Sequence, residues 1–124
     1  MTKIKDISPT AALALTRKGV LLVDVRQPHE VAKRSFDVPD LLLIPLNTLE
    51  LHFREIPPER QVIIACNSGN RSLVAARFLA DHGYRKVMNM QYGISRWEKE
   101  GLPVRRKPKQ NPFSWLLQMF RRKP

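Results

Sequence analysis

The run Val62-Ile63-Ile64-Ala65-Cys66-Asn67-Ser68-Gly69-Asn70-Arg71-Ser72 contains the only cysteine of this 124-residue chain. The short apolar stretch before the thiol predicts a buried strand over residues 62–65. After the loop, Ser72 opens a pattern of apolar residues with helical spacing, which predicts a helix over residues 71–82. The run therefore places a thiol at the carboxyl end of a strand, facing the amino end of a helix.

A thiol in this position is expected to react as a thiolate. The amino end of a helix presents free N–H groups and the positive end of the helix dipole, and both lower the pKa of a nearby thiol. Gly69 permits the backbone angles of a tight loop, so that successive N–H groups can converge on an anion. A lone cysteine is more often a small buried apolar residue. The order strand, Cys, four residues, Arg and helix is uncommon by chance, so we interpret Cys66 as a nucleophile.

Strands and helices alternate along the chain. Apolar runs predict an edge strand over residues 4–7, buried strands over 20–25, 41–44 and 62–65, and a last strand over 87–90. Capping residues and prolines predict helices over residues 9–18, 28–33, 71–82 and 94–100, and a short helix through about residue 53 that either Asn47 or Thr48 caps. This alternation predicts a parallel sheet with helices on both faces, in which ligands bind beyond the carboxyl ends of the strands.

Residues Cys66–Ser72 resemble the active-site loop of the rhodanese family of sulfurtransferases. Residues 21–30 resemble the amino-terminal signature of that family, and Ile44-Pro45-Leu46 resembles its next strand. Its carboxyl-terminal end is matched by Gly83-Tyr84, Val87, Gly93-Ile94, Trp97 and Gly101-Leu102-Pro103-Val104. The resemblance covers about residues 4–104. It implies a rhodanese-like three-layer α/β fold, with a mostly parallel central sheet and helices on both faces.

The resemblance also implies a reaction. The Cys66 thiolate would take a sulfane sulfur from thiosulfate or a persulfide, become a persulfide itself, and pass the outer sulfur to a thiophilic acceptor, either a small thiol or a protein. We expect no cofactor. A docking or regulatory module without turnover is the alternative, although such modules often lack the cysteine that this chain retains.

The resemblance to the rhodanese family also implies roles for individual residues. Cys66 and Arg71 would be catalytic, and Arg71 would either contribute charge or brace the loop through backbone carbonyls. The loop around the substrate and persulfide would consist of Asn67, Ser68, Gly69, Asn70 and Ser72, with the two hydroxyls able to donate to sulfur. Asp24 and Arg26, which end a neighbouring strand, are interpreted as a structural ion pair that supports the loop, and Glu30 is interpreted similarly.

Three positions depart from the family pattern. Residues 33–40 stand where many relatives carry a Gly-His-Ile-Pro-Gly-Ala-like stretch. Tyr92-Gly93 stands where a Gly-Gly pair is common, and Asn67 stands where a basic side chain is frequent. The first departure bears on the shape of the adjoining loop, and the other two bear on the substrate.

Other cysteine chemistries fit the sequence less well. Phosphatases related to rhodanese carry one more residue between cysteine and arginine than the four found here, which favours sulfur over phosphate. A Cys–His hydrolase would need His29, His52 or His82 beside the thiol, and none lies in the loop. One cysteine and three scattered histidines also lack the spacing of zinc ligands, so no metal site is expected.

The charge is unevenly distributed. The formal net charge is +11, yet residues 1–104 carry 15 basic and 11 acidic side chains, while residues 105–124 carry seven basic and none acidic. Most of the excess positive charge therefore lies in the tail, and we expect no nucleic-acid partner. A lone reactive thiol and an amino terminus without an apolar run of signal-peptide length favour a cytoplasmic protein.

The tail is predicted to be separate from the domain of residues 1–104. Residues 105–111 have the composition of a basic linker, and Asn111-Pro112 would begin a short apolar helix that is followed by Arg121-Arg122-Lys123. The helix would be too short to cross a bilayer. Residues 112–123 would instead contact a membrane surface or a partner protein, or pack on their own domain or a second copy.

Overall fold

The computed structural model describes residues 3–106. Its strands are β1 (Lys5–Ile7), β2 (Leu21–Asp24), β3 (Arg34–Phe36), β4 (Leu41–Leu43), β5 (Val62–Ala65), β6 (Val87–Met90) and β7 (Val104–Arg106). Its α-helices are α1 (Pro9–Arg17), α2 (Pro28–Lys33), α3 (Leu49–His52), α4 (Asn70–Asp81) and α5 (Gly93–Lys99), and one-turn 3₁₀ helices flank α3 at Leu46–Thr48 and Phe53–Glu55.

The central sheet has five strands in the order β1-β6-β5-β2-β4, and all the pairings are parallel. Strand β5 is in the middle and is completely buried, as its apolar run predicts. Its register with β2 places Ala65 beside Asp24. The residues that follow these two strands therefore lie at the same edge of the sheet, which is where Cys66 is found.

Side chains alternate between the two faces of β5 and supply two separate cores. Ile64 and Cys66 pack with Ala75, Ala76 and Leu79 of α4, while Ile63 and Ala65 pack in the second core with buried residues of α1 and α5. This alternation follows from the period of two in a strand. The three-layer arrangement confirms the predicted fold class.

Two features differ from the expectations. Strand β4 is an edge strand, and it is not buried as predicted: Leu41 and Leu42 are partly buried and Leu43 is exposed. Strands β3 and β7 form a separate antiparallel pair that the sequence did not indicate. The pair includes Arg105 and Arg106, which were assigned to the linker, so the folded part extends two residues beyond the predicted boundary. The rest of the linker and the tail helix lie outside the described residues.

Short strands explain why this antiparallel pair was missed, because three residues show no periodicity. Packing holds the pair against α5. The Phe36 ring meets the Trp97 ring edge-on at 5.1 Å between centroids, and Trp97 Nε1 donates to the Pro103 carbonyl at 2.7 Å.

No helix within residues 3–106 has the length and apolar character to cross a membrane.

Candidate active site

Cys66 follows directly after β5, and its side chain is completely buried. Helix α4 begins four residues later, with Gly69 at its N-cap position. The Gly69 N–H donates to Cys66 Sγ at 3.1 Å, and Sγ lies 3.4 Å from Ser72 Oγ. The structure thus brings together the thiol, the loop backbone and the first turn of the helix.

These contacts determine the protonation of the thiol. Burial alone raises the pKa of Cys66. The Ser72 hydroxyl and the backbone N–H groups of Ser72, Gly69 and Ser68 act in the opposite direction and outweigh it, so the pKa lies below the ordinary value of a cysteine. The site therefore favours the nucleophilic thiolate.

Two glycines allow the loop its close packing. Gly69 has φ +102°, and a Cβ there would lie 3.0 Å from Tyr92 N. A Cβ on Gly93 would lie 2.3 Å from the Cys66 carbonyl oxygen, far inside van der Waals contact. That carbonyl accepts a hydrogen bond from Ile94 N at 2.9 Å. The amino end of α5 therefore fixes the Cys66 peptide, a role for Gly93 that the sequence alone did not indicate.

Tyr92 has φ +63°, and it is the only non-glycine residue with a positive φ in the described part of the chain. Its side chain is more than half exposed. A side chain in the left-handed region costs about 1–2 kcal/mol. This backbone geometry gives a physical reason why a Gly-Gly pair is common at this position in relatives.

Arg71 forms a bidentate ion pair with Glu30 of α2, with Nη1–Oε2 and Nη2–Oε1 distances of 2.9 and 3.0 Å. Hydrogen bonds from this guanidinium to loop carbonyls, one of the two predicted alternatives, are not found among residues 3–106. The hydrogen bonds from Arg71 are the main reason why the pKa of Glu30 is lowered to about 2. Desolvation acts in the opposite direction, while the Gln27 N–H and the charge of Arg26 lower the pKa further. Glu30 thus stays ionised and anchors Arg71 in the first turn of α4.

Asp24 and Arg26 form the buried ion pair that the sequence predicted. Arg26 Nη2 lies 2.7 Å from Asp24 Oδ2, and the two side chains are 1% and 0% exposed. The remaining N–H groups of Arg26 donate to the carbonyls of Glu30 and Arg34 at 3.4 and 3.0 Å. The pair therefore supports α2 and β3, and through Glu30 it supports Arg71 without touching the sulfur.

Asn67 also has partners that the sequence did not reveal. Its Oδ1 accepts from Arg34 Nη2 at 3.0 Å, and Ser95 Oγ lies 3.4 Å away. On the other side of the loop, the buried amide of Asn89 donates to Asp6 at 2.9 Å and lies 3.5 Å from the Gly69 carbonyl. Ser68 and Asn70 are exposed at the surface of the loop.

The histidines lie elsewhere. His52 pairs with Glu55, His82 contacts the Phe78 carbonyl, and His29 is exposed on α2. Within the described residues, none of the three makes a hydrogen bond to Cys66. The same residues contain no group of three His, Cys, Asp or Glu side chains that could hold a metal ion.

Comparisons with known proteins agree with this geometry. A family model described as the rhodanese-like domain matches residues 8–100. A sulfurtransferase of Allochromatium vinosum is 42% identical over 87 residues, which cover 70% of this chain and 79% of the relative. The thiosulfate sulfurtransferase GlpE of Pseudomonas syringae is 33% identical over 97 residues, which cover 78% of this chain and 90% of the relative.

A solved structure shows the same fold. The polysulfide-sulfur transferase homodimer of Wolinella succinogenes superposes with a TM-score of 0.77 at 26% identity, and the match covers 87% of this chain and 82% of that one. The chain therefore belongs to the rhodanese-like domain family as a rhodanese-type sulfurtransferase, which confirms the family and the enzyme class that the sequence predicted.

Proposed function

We propose that this protein transfers sulfane sulfur from thiosulfate or a persulfide to a thiophilic acceptor through a persulfide on Cys66. The observation that carries the proposal is the placement of Cys66 Sγ, which accepts the Gly69 N–H at 3.1 Å and has a lowered pKa. Relatives named as sulfurtransferase and thiosulfate sulfurtransferase support the choice of reaction.

The reaction has two displacement steps. The Cys66 thiolate attacks the sulfane sulfur of the donor, a new S–S bond forms at Sγ, and the donor leaves with the electron pair of the broken bond, as sulfite in the case of thiosulfate. The acceptor then attacks the outer sulfur, and Cys66 leaves again as a thiolate. The loop N–H groups stabilise negative charge on sulfur in both steps.

Arg71 acts at the rim of the loop. Its bidentate pairing with Glu30 fixes the plane of the guanidinium, while about a third of the Arg71 side chain remains exposed. An arginine held in this way presents a positioned charge to an anionic donor. We assign it the charge role rather than the bracing of loop carbonyls.

Intact-protein mass spectrometry tests the proposal. After incubation with thiosulfate, the wild-type protein should gain the mass of one sulfur atom, and an added thiol should remove it. Cys66→Ser should gain none while keeping the same circular dichroism spectrum. Absence of added sulfur on a folded wild-type protein, with both thiosulfate and an alkyl persulfide as donors, would favour a docking module. Undiminished transfer by the serine variant would contradict the mechanism.

We further propose a cytoplasmic location, because a lone reactive thiol is preserved in a reducing compartment. Residues 112–123, which lie outside the described residues, are proposed to contact a membrane surface or a partner protein. Sedimentation with anionic vesicles at low and high salt, comparing the full chain with a chain that ends at Arg106, tests the membrane form. Equal sedimentation of the two chains at low salt would contradict it.

A further inference from the structure

Asn89 is a polar residue in the middle of an otherwise apolar strand. All four residues of β6 are buried, and Asn89 is only 4% exposed. It is in register with Asp6 of β1 on one side and with Ile64 of β5 on the other. Paired residues of neighbouring strands point to the same face of a sheet. Ile64 packs in the core that includes Cys66 and α4, so Asn89 faces the layer that carries the Cys66 loop.

Two acceptors determine how the Asn89 amide is oriented. Its Nδ2 donates to Asp6 Oδ1 at 2.9 Å and lies 3.5 Å from the carbonyl oxygen of Gly69. If the amide were turned over, its Oδ1 would face a carboxylate and a carbonyl, and none of these three acceptors carries a proton to share. The two N–H groups of the amide are therefore directed at Asp6 and at Gly69.

The same amide is unfavourable for the core. Within residues 3–106, the buried Oδ1 of Asn89 has no hydrogen-bond partner. A buried carbonyl group without a donor lowers the stability of the folded state, and an apolar side chain with the same branching would avoid that loss. An orphaned polar group of this kind needs an explanation other than packing.

Gly69 connects the Asn89 amide with the sulfur. The Gly69 N–H donates to Cys66 Sγ at 3.1 Å, while the Gly69 carbonyl faces Asn89. Gly69 has φ +102° and no side chain, so its backbone can rotate more freely than that of any other residue type. The contact of 3.5 Å is long for a hydrogen bond and therefore weak. It is made by a buried group on a central strand, however, and so it defines where the carbonyl lies.

We propose that Asn89 is a positioning residue for sulfur transfer, whose amide holds the Gly69 backbone so that the Gly69 N–H stays directed at the sulfur of Cys66. This inference rests on the proposed function. The N–H stabilises the attacking thiolate in the first step and the departing thiolate in the second. Within the described part of the chain, Asn89 makes no hydrogen bond to Cys66, so it acts through Gly69.

Asn89→Leu tests the inference. Leucine has the same branching but no N–H, so the variant removes both the contact to Gly69 and the orphaned carbonyl. The midpoint of Cys66 alkylation against pH should rise, and kcat/KM for sulfur transfer should fall about tenfold, because a displaced donor stabilises the thiolate less well. The urea concentration at half-unfolding should not fall. A purely structural asparagine predicts the reverse, which is lower stability with an unchanged alkylation midpoint.

Asp6→Ala tests the same contact without altering the core, because Asp6 is exposed on the edge strand β1. Its loss leaves the amide free to turn away from Gly69, so the alkylation midpoint should again rise. Removal of a negative charge by itself would lower the pKa of the thiol, so the sign of the shift separates the two effects. In the Asn89→Leu background, Asp6→Ala should not raise the midpoint further.

Met88→Leu is the matched control. Met88 is the buried neighbour of Asn89 on β6, and its side chain packs in the second core on the opposite face of the sheet. Its alkylation midpoint and its kcat/KM should equal those of the wild type. An unchanged midpoint in folded Asn89→Leu and in Asp6→Ala would overturn the inference and leave sulfur transfer intact. A wild-type protein that gains no sulfur from thiosulfate or an alkyl persulfide would instead contradict the proposed function, and the alkylation midpoints, which need no sulfur donor, would still test Asn89.

Discussion

Two arginine–carboxylate pairs lie near the Cys66 loop, and they differ in burial rather than in chemistry. The pair Asp24–Arg26 is sealed inside the protein, with both side chains at most 1% exposed. The pair Glu30–Arg71 lies at the rim, with side chains 29% and 35% exposed. An unpaired charge is costly in the interior and inexpensive at the surface. We therefore expect the buried pair to determine stability and the rim pair to determine activity.

The largest expected effect is on stability, at the buried pair. Asp24→Asn leaves the Arg26 charge buried without its counter-ion and should lower the free energy of unfolding by about 3–5 kcal/mol. Urea denaturation measures this loss. Glu55→Gln, at an exposed pair with His52, is the control and should change stability by less than about 1 kcal/mol. A loss at Asp24 as small as that of the control would remove the contrast between the two pairs.

The next effect is on activity, at the rim. Arg71→Ala should lower kcat/KM for sulfur transfer about tenfold or more because it removes a positioned charge, and it should change stability little. Its neighbour Asn70, the first residue of α4, provides a matched control, since Asn70→Ala should lower transfer only mildly. Arg71→Lys should restore only part of the rate, because an ammonium cannot pair bidentately with Glu30. Equal effects at residues 70 and 71 would show that the rim charge is unimportant.

The third effect concerns the pKa of the Cys66 thiol. The midpoint of alkylation against pH should lie below the free value of about 8.5. Ser72→Ala removes the hydroxyl that helps to lower the pKa of Cys66 and should therefore raise this midpoint, because a hydrogen bond to the thiolate favours the charged form. Ser68→Ala keeps its backbone N–H and should leave the midpoint unchanged. A shift in both variants alike would contradict the assignment to Ser72.

The smallest effect is the acid dependence of the rim pair. Folding lowers the pKa of Glu30 from 4.5 to about 2, so the carboxylate contributes stability above pH 4.5 that is lost as pH falls toward 2. Partial exposure of the pair reduces this contribution to about 1 kcal/mol or less. The stability difference between the wild type and Glu30→Gln should therefore shrink across this pH range. A difference independent of pH would mean that Glu30 acts through packing rather than charge.

Local sequence was sufficient to predict where Cys66 lies in the fold. Residues 62–72 are contiguous, and the periodicity on each side of Cys66 changes from strand to helix within the loop. Both elements were located to within about one residue, and the placement of the thiol between them follows from chain connectivity. The pairing of Asp24 with Arg26 was predictable for the same reason, since only Val25 separates them and both lie at the end of a buried strand.

The surroundings of the loop were not predictable in this way. The partner of Arg71 is 41 residues away in sequence, and the partner of Asn67 is 33 residues away. Strands β3 and β7 are each three residues long, too short for a periodic signal, and they pair across most of the domain. This pairing alone places Arg106 opposite Arg34, so that both arginines contact the Glu98 carboxylate.

The sequence by itself therefore determined the position of Cys66 between a buried strand and a helix, the helix end that lowers its pKa, and the family. These depend on neighbours in the chain, whose relative positions are fixed by backbone geometry. Only the tertiary structure decided which carboxylate holds Arg71, how Gly93 lets α5 pack on the Cys66 peptide, and which arginine contacts Asn67. Those contacts join distant segments, and they depend on how the layers pack rather than on any local preference.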